Sequence, residues 1–186
     1  MFLGKALDLW PELIPVSGSV VKTFREISYL WSLSFEIIAL SGPVADIRNI
    51  LHISNGQNNG SPGNRLPAVF FHQYSHNLLI RSYVNGDANF GFTSASPVSQ
   101  KDWTKVTIEQ VQDAKTPKKY RYRIHINGSL VLDEENSTPR EFENMKFYVS
   151  DPWYKAPEVK IRNLVHQRYQ CKMLHASIPV VTYNFE

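Results

Sequence analysis

The sequence predicts an all-β protein built as an antiparallel two-sheet sandwich, and three observations predict it. Roughly a dozen short apolar segments follow one another with turn residues every 8 to 12 positions or so, the spacing of sandwiches and barrels. Between Trp103 and Leu132 the pattern has period two: Val106 and Ile108 oppose Lys105, Thr107 and Glu109, and Tyr120, Tyr122, Ile124 and Ile126 oppose Arg121, Arg123 and His125. Such alternation marks half-buried antiparallel sheet. The pair Asn127-Gly128 then tolerates positive φ at both central turn positions and closes a tight hairpin into Leu130-Val131-Leu132.

The elements follow in order. After a short start at Leu7, Leu9 and Trp10 and a turn region with Pro11, Pro15 and Gly18, strands are expected over 20–24 and 31–40. In the second of these Leu33, Phe35, Ile37 and Ala39 share one face, and Trp31, Phe35 and Trp103 fit the core. A strand over 47–53 precedes a loop, 55–64, whose Asn, Gly, Ser and Pro content excludes regular structure. Further strands are expected over 68–72, 77–84, 89–93, 105–109, 120–126, 130–133, 145–150 and 159–166. Helix is confined to a turn or two at 7–13 and 140–145, since Pro11 and Pro139 limit both. In the C-terminal extension, 167–186, the segment 178–183 has strand character, and Pro179 restricts it to a sheet edge or an irregular course. One domain spanning 1–186, with its core at about 20–166, fits this length.

Composition narrows the function classes. A hydrophobic share of 42% and an aromatic share of 12% suit a packed globular chain. No run nears the roughly 18 apolar residues of a membrane helix. Net charge is only +3, too little for the basic stripe of a nucleic-acid binder. With Cys171 as its single cysteine the chain forms no intrachain disulfide and no paired-cysteine zinc site. Residues 1–8 lack the continuous apolar core of a secretory signal, which leaves either an intracellular protein or a mature segment behind an added methionine. Asn-x-Ser/Thr triplets at Asn59, Asn127 and Asn136 fall in expected turns or loops where glycans could sit.

Several pieces then combine into a resemblance. Ser34-Phe35-Glu36-Ile37, the run from Arg65 to Phe71, Trp103-Thr104-Lys105-Val106, Ile126-Asn127-Gly128, the run from Phe147 to Trp153, and a last strand from Val159 to Leu164 occur in that order. Together, over about 20–166, they resemble the concanavalin A-like jelly roll shared by laminin-G modules, pentraxins and many lectins. The resemblance implies a jelly-roll sandwich and a recognition function, often with calcium held by loop carboxylates and carbonyls.

The residues set limits on chemistry. Glycosidases of that superfamily place acids as alternating Glu-x-Asp-x-Glu on one strand, and this chain has no such run. His72-Gln73-Tyr74-Ser75-His76 lies in a strand-to-strand turn, without the helical setting that aims two rings at one metal. Asn85-Gly86-Asp87-Ala88-Asn89 offers calcium a single carboxylate, and a plain hairpin turn explains the same residues. No resident cofactor or metal is expected, with calcium as the alternative. Loops carry recognition, so the candidate ligand residues are Arg65, His72, His76, Asn85, Asp87 and Trp153. Arg121, Arg123 and His125, with Lys105, Lys118 and Lys119 near them, form a separate candidate patch for anionic glycans, with Glu109 close enough to offset part of the charge. The expectation is a non-enzymatic, extracellular recognition or adhesion module with a glycan or glycoprotein ligand. A structural protein that self-associates into homo-oligomers through sheet edges or the tail is the alternative, and a glycoside hydrolase a third reading.

Overall fold

The computed structural model describes residues 10–116 and 119–169. Twelve strands run in chain order: β1 Trp10–Leu13, β2 Val20–Ile27, β3 Trp31–Ala39, β4 Arg48–Ser54, β5 Ala68–Phe71, β6 Asn77–Val84, β7 Asp87–Pro97, β8 Thr104–Gln112, β9 Tyr120–Ile126, β10 Ser129–Glu135, β11 Phe142–Val149 and β12 Val159–Arg168. They form two six-stranded sheets, β1-β12-β3-β8-β9-β10 and β2-β11-β4-β5-β6-β7, in which neighbouring strands pair antiparallel. This is the jelly-roll sandwich that the alternating pattern predicts. Among the described residues there is no helix, and none long and apolar enough to cross a membrane.

The inner faces of the two sheets meet in one core. The first sheet contributes Trp31, Leu33, Phe35 and Ile37 from β3, Val106 and Ile108 from β8, and Tyr122 and Ile124 from β9; the second contributes Ile53, Val69, Ile80, Met145 and Phe147. Full burial of such side chains is worth about 1.5–3 kcal/mol each, which is why period two, once set by burial, fixes register as well. At the β9–β10 turn Asn127 has φ 50° and Gly128 has φ 81°, as a hairpin of this type requires. A Gly128→Val variant, forcing a β-branched residue into that conformation, is expected to lose about 1–3 kcal/mol in urea unfolding; an unchanged midpoint would contradict the turn geometry.

Four expectations are corrected. Segment 140–145 enters strand β11, where Phe142 pairs with Ile27 and buries beside Tyr83, so sheet pairing overrides local helical preference. The described part of 7–13 is strand β1, paired with β12; residues 1–9 lie outside the described residues. Trp103 is not core. It is half-buried on the outer face of the first sheet, with the Arg162 guanidinium 4.1 Å above its ring. Asn136 is fully buried and donates through Nδ2 to Gln110 Oε1 at 2.6 Å, so the folded protein offers no glycan acceptor there. Strand β12 extends through Arg168, and the tail beyond Tyr169 lies outside the described residues.

Candidate functional site

Strand β4 is buried along nearly its whole length, on both faces. Its inner face meets the core, and its outer face is roofed by the segment that follows β11. Ser150, at φ 67°, turns the chain back, and Asp151-Pro152-Trp153-Tyr154 crosses the sheet. Asp151 Oδ1 accepts the backbone N–H of Trp153 at 3.0 Å and of Tyr154 at 2.9 Å, the local bonding that makes Asp-Pro a turn initiator. Asp151 Oδ2 accepts from His52 Nδ1 at 2.6 Å, and His52 Nε2 donates to the Asn64 carbonyl oxygen at 2.6 Å. Both ring nitrogens are engaged, and the carboxylate that meets the ring is as buried as the ring itself.

Loop 55–64 is wound around the other end of this chain of bonds. Asn64 is buried; its Oδ1 accepts from the N–H groups of Asn59 and Ser61, and its Nδ2 donates to Asn55 Oδ1 at 2.9 Å. The low-complexity loop is therefore held in one conformation by Asn side chains satisfying its own backbone. His52 ties it to the roof segment.

A cross-strand row spans this outer face: Tyr148 pairs with His52, His52 with Ala68, Ala68 with Arg81 and Arg81 with Gly91. Above the row, the Trp153 ring stands edge-on at 5.4 Å from His52 and 5.8 Å from Tyr148, with 39% of the residue exposed. Tyr154 packs edge-on against Phe70 at 5.1 Å. At the other end of the row lie two arginines. Arg65 donates from Nε to Asn58 Oδ1 at 2.9 Å and from Nη1 to Asn89 Oδ1, while Arg81 Nη1 donates to the Asn89 carbonyl at 3.1 Å. Partial burial lowers the Arg65 pKa from its ordinary value; Tyr154 and Asp151 nearby act the other way, and the Arg81 charge adds to the lowering.

The sequence candidates fall into separate places. Arg65 and Trp153 belong to this outer face. Asn85 and Asp87 sit at the β6–β7 turn, where Asn85 is consumed structurally: Nδ2 donates to the Glu135 carbonyl and Oδ1 accepts from the Ser137 N–H and hydroxyl. Asp87 Oδ1 accepts the Asn89 N–H at 2.8 Å and so supports the strand that carries Asn89. His72 and His76 lie at the opposite end of β6, about 25 Å away at the rise of an extended strand. There His76 is buried 4.8 Å from the Phe71 ring, its pKa lowered by burial against a raising bond from the Gly42 backbone. Both histidines line a cavity of about 80 Å³ with Asp46 and Arg48.

Arg121, Arg123 and His125 point from the outer face of the first sheet, and each has an acidic partner. Asp133 Oδ1 receives Arg121 Nε at 2.7 Å and Arg123 Nε at 3.1 Å, and Glu109 stands 3.5 Å from His125. The Arg121 bond, followed by that of Arg123, holds the Asp133 carboxyl below the usual carboxylate range. Lys119 pairs with Glu135, and Lys118 lies outside the described residues. The strip is thus largely neutralised by β10, whose acids come into register only once the hairpin closes.

Sequence reasoning passed over His52, Arg81, Asp151 and Tyr154, and met Asn89 only as part of a possible calcium turn. One signal was legible: Gly91, isolated in a strand, marks a close approach by another group. A Cβ there would overlap Arg81 Nη1 and stand 2.8 Å from its Cζ.

No known family model matches this chain, and no curated protein matches it. Solved structures do. The alginate lyase Aly36B in complex with an alginate trisaccharide is 16% identical over 81% of this chain and 73% of its own, with a TM-score of 0.50. The heptameric SAP-like pentraxin of Limulus polyphemus is 13% identical over 88% and 73%, with a TM-score of 0.50. The Ruminococcus gnavus IT-sialidase CBM40 bound to α2,3-sialyllactose is 11% identical over 85% and 90%, with a TM-score of 0.51. The chain shares with these proteins the fold of an all-β jelly-roll sandwich.

Proposed function

We propose that the protein is a non-enzymatic carbohydrate-recognition module, acting outside the cell, and that it binds sugar on the outer face of the second sheet. The observation that carries this reading is Trp153, an exposed ring on a roof segment locked by the buried Asp151–His52 pair. Rigid aromatic surface on a face that also carries polar side chains, here Arg65 and Arg81 with Asn58 and Asn89, is what a saccharide with apolar ring faces and a rim of hydroxyls requires. Sandwiches of similar fold are solved with an alginate trisaccharide and with α2,3-sialyllactose bound, which supports the ligand class. His52, the histidine nearest the ring, has both nitrogens engaged and is fully buried, which favours binding over proton abstraction at this place. A glycan array probed with the purified protein tests the reading. Binding competed by free sugar and weakened about tenfold or more by Trp153→Ala is the expected result. An array without signal, or a Trp153→Ala variant that binds as the parent does, would overturn it.

Exposed Leu130 and Val131 on the edge strand β10 favour a second reading, self-association through that edge. Light scattering tests it: an oligomer that dissociates on Leu130→Lys supports assembly, and a monomer at all concentrations ends it.

A further inference from the structure

We infer that the sugar held on this face is acidic, and that Arg65 and Arg81 receive its carboxylate; the inference rests on the carbohydrate-binding reading above. Arg48, Arg121, Arg123, Arg162 and Arg168 each have an acidic side chain within ion-pair distance. Arg65 and Arg81 have none among the described residues, although they lie close enough to share Asn89 and for the Arg81 charge to act on Arg65. Asp151, whose charge reaches Arg65, is spent on His52 and on two backbone N–H groups, and Asp87 accepts the Asn89 N–H. Two guanidiniums brought together without an anion repel each other, and the partial burial of Arg65 strengthens that repulsion. A bound carboxylate relieves it.

The pair is also aimed. A guanidinium is a planar fork of N–H donors that matches a carboxylate two bonds at a time. Arg65 commits only its Nε and Nη1 to amide oxygens and Arg81 only its Nη1, so each keeps further donors uncommitted. Asn58 and Asn89 fix the Arg65 plane, and the missing side chain at Gly91 gives Arg81 the space it occupies. Three strand spacings, about 14 Å, separate the His52 end of the row, under Trp153, from its Gly91 end. That distance suits an oligosaccharide with one ring stacked on Trp153 and an acidic ring over the arginines. It does not suit a single monosaccharide touching both.

The test is calorimetric titration of the purified chain with four probes: an alginate-derived uronate trisaccharide, the same trisaccharide with its carboxylates reduced to alcohols, α2,3-sialyllactose, and a sulfated neutral trisaccharide. At least one carboxylate sugar is expected to bind, with affinity falling as ionic strength rises from about 0.05 to about 0.5 M, and the reduced sugar is expected to bind about tenfold or more weakly. Arg65→Gln with Arg81→Gln should abolish the preference for the charged sugar, whereas Arg65→Lys should retain part of it. Gly91→Ala keeps every charge and displaces only the Arg81 guanidinium, so it should weaken the charged sugar about tenfold while leaving the reduced sugar unchanged. Melting curves confirm that each variant is folded. Equal binding of charged and reduced sugars, or parental preference in the double variant, would overturn the inference and leave the carbohydrate reading standing. Binding of the sulfated probe alone would overturn the carboxylate assignment, and binding of no saccharide would remove both.

Discussion

Replacing Asp151 by alanine is expected to cost about 3–5 kcal/mol of folding stability, the usual penalty for removing one member of a buried ion pair. His52 and Asp151 have no exposed side-chain surface. Without the carboxylate, the buried His52 Nδ1 loses its partner while Nε2 stays held at the Asn64 carbonyl. The Trp153 and Tyr154 N–H groups lose their acceptor at the same time, so the roof segment should exchange its amide protons faster than the sheets do. Urea unfolding measures the loss. The double variant His52→Phe/Asp151→Ala should be more stable than the sum of the single losses, because it leaves neither buried partner stranded. Strict additivity, or a single-variant loss below about 1 kcal/mol, would show that the pair is not coupled.

Acidification is expected to remove on the order of 3 kcal/mol between pH 6.5 and about 4 through one residue, His166. Its ring lies in the core, 4.7 Å from Phe24 and stacked 6.4 Å from Trp31, with no hydrogen-bond partner for either nitrogen. Burial, assisted by the Arg168 charge, pushes its pKa down to about 4. Between that value and the ordinary 6.5 the unfolded chain binds a proton that the folded chain refuses, so stability is complete above the window and falls as pH drops through it. His76, its pKa also lowered by burial, acts in the same direction. Glu36 and Asp133, held low by Arg162 and Arg121, contribute stability lost only at lower pH, as it falls from the ordinary carboxylate range through their depressed values. Melting temperatures at pH 7.5, 5.5 and 4.5 should therefore fall steeply for the parent and much less for His166→Phe. The variant should also melt higher at pH 7.5, since it removes two unpartnered buried nitrogens. A slope unchanged by the substitution would place the responsible group elsewhere.

The placement of His166 shows where local pattern stops being informative. Period two from Val159 and Ile161 would send 163 and 165 inward. The register shift between Arg162 and Val165, with Asn163 at φ 51°, re-phases β12 so that Leu164 and His166 face the core instead. A bulge is decided by how a strand must bend against its neighbours, here β3, and leaves little local trace. Where no bulge intervenes, as across Leu33, Phe35 and Ile37, alternation and burial agree residue by residue.

The candidate site divides along the same line. Arg65 and Trp153 were legible because loops rich in hydrogen-bonding and aromatic side chains are where recognition concentrates. Their companions were not. His52 and Arg81 sit inside strands that read as core, and Asp151 reads as an ordinary turn residue. Asp133, which pairs with both Arg121 and Arg123, reads as the end of a hairpin. Each acquires its role from a partner distant in sequence: 99 positions separate His52 from Asp151, and 24 separate Arg65 from Asn89.

By itself the sequence determined the all-β class, the β9–β10 hairpin and the inward faces of the regular strands, because those follow from nearest-neighbour sterics and the period of side-chain burial. Only the tertiary structure decided which outer face is roofed, which arginines are neutralised and that Arg65 and Arg81 meet without an acid. Those outcomes depend on strand order and register, which bring together groups that no local interaction relates.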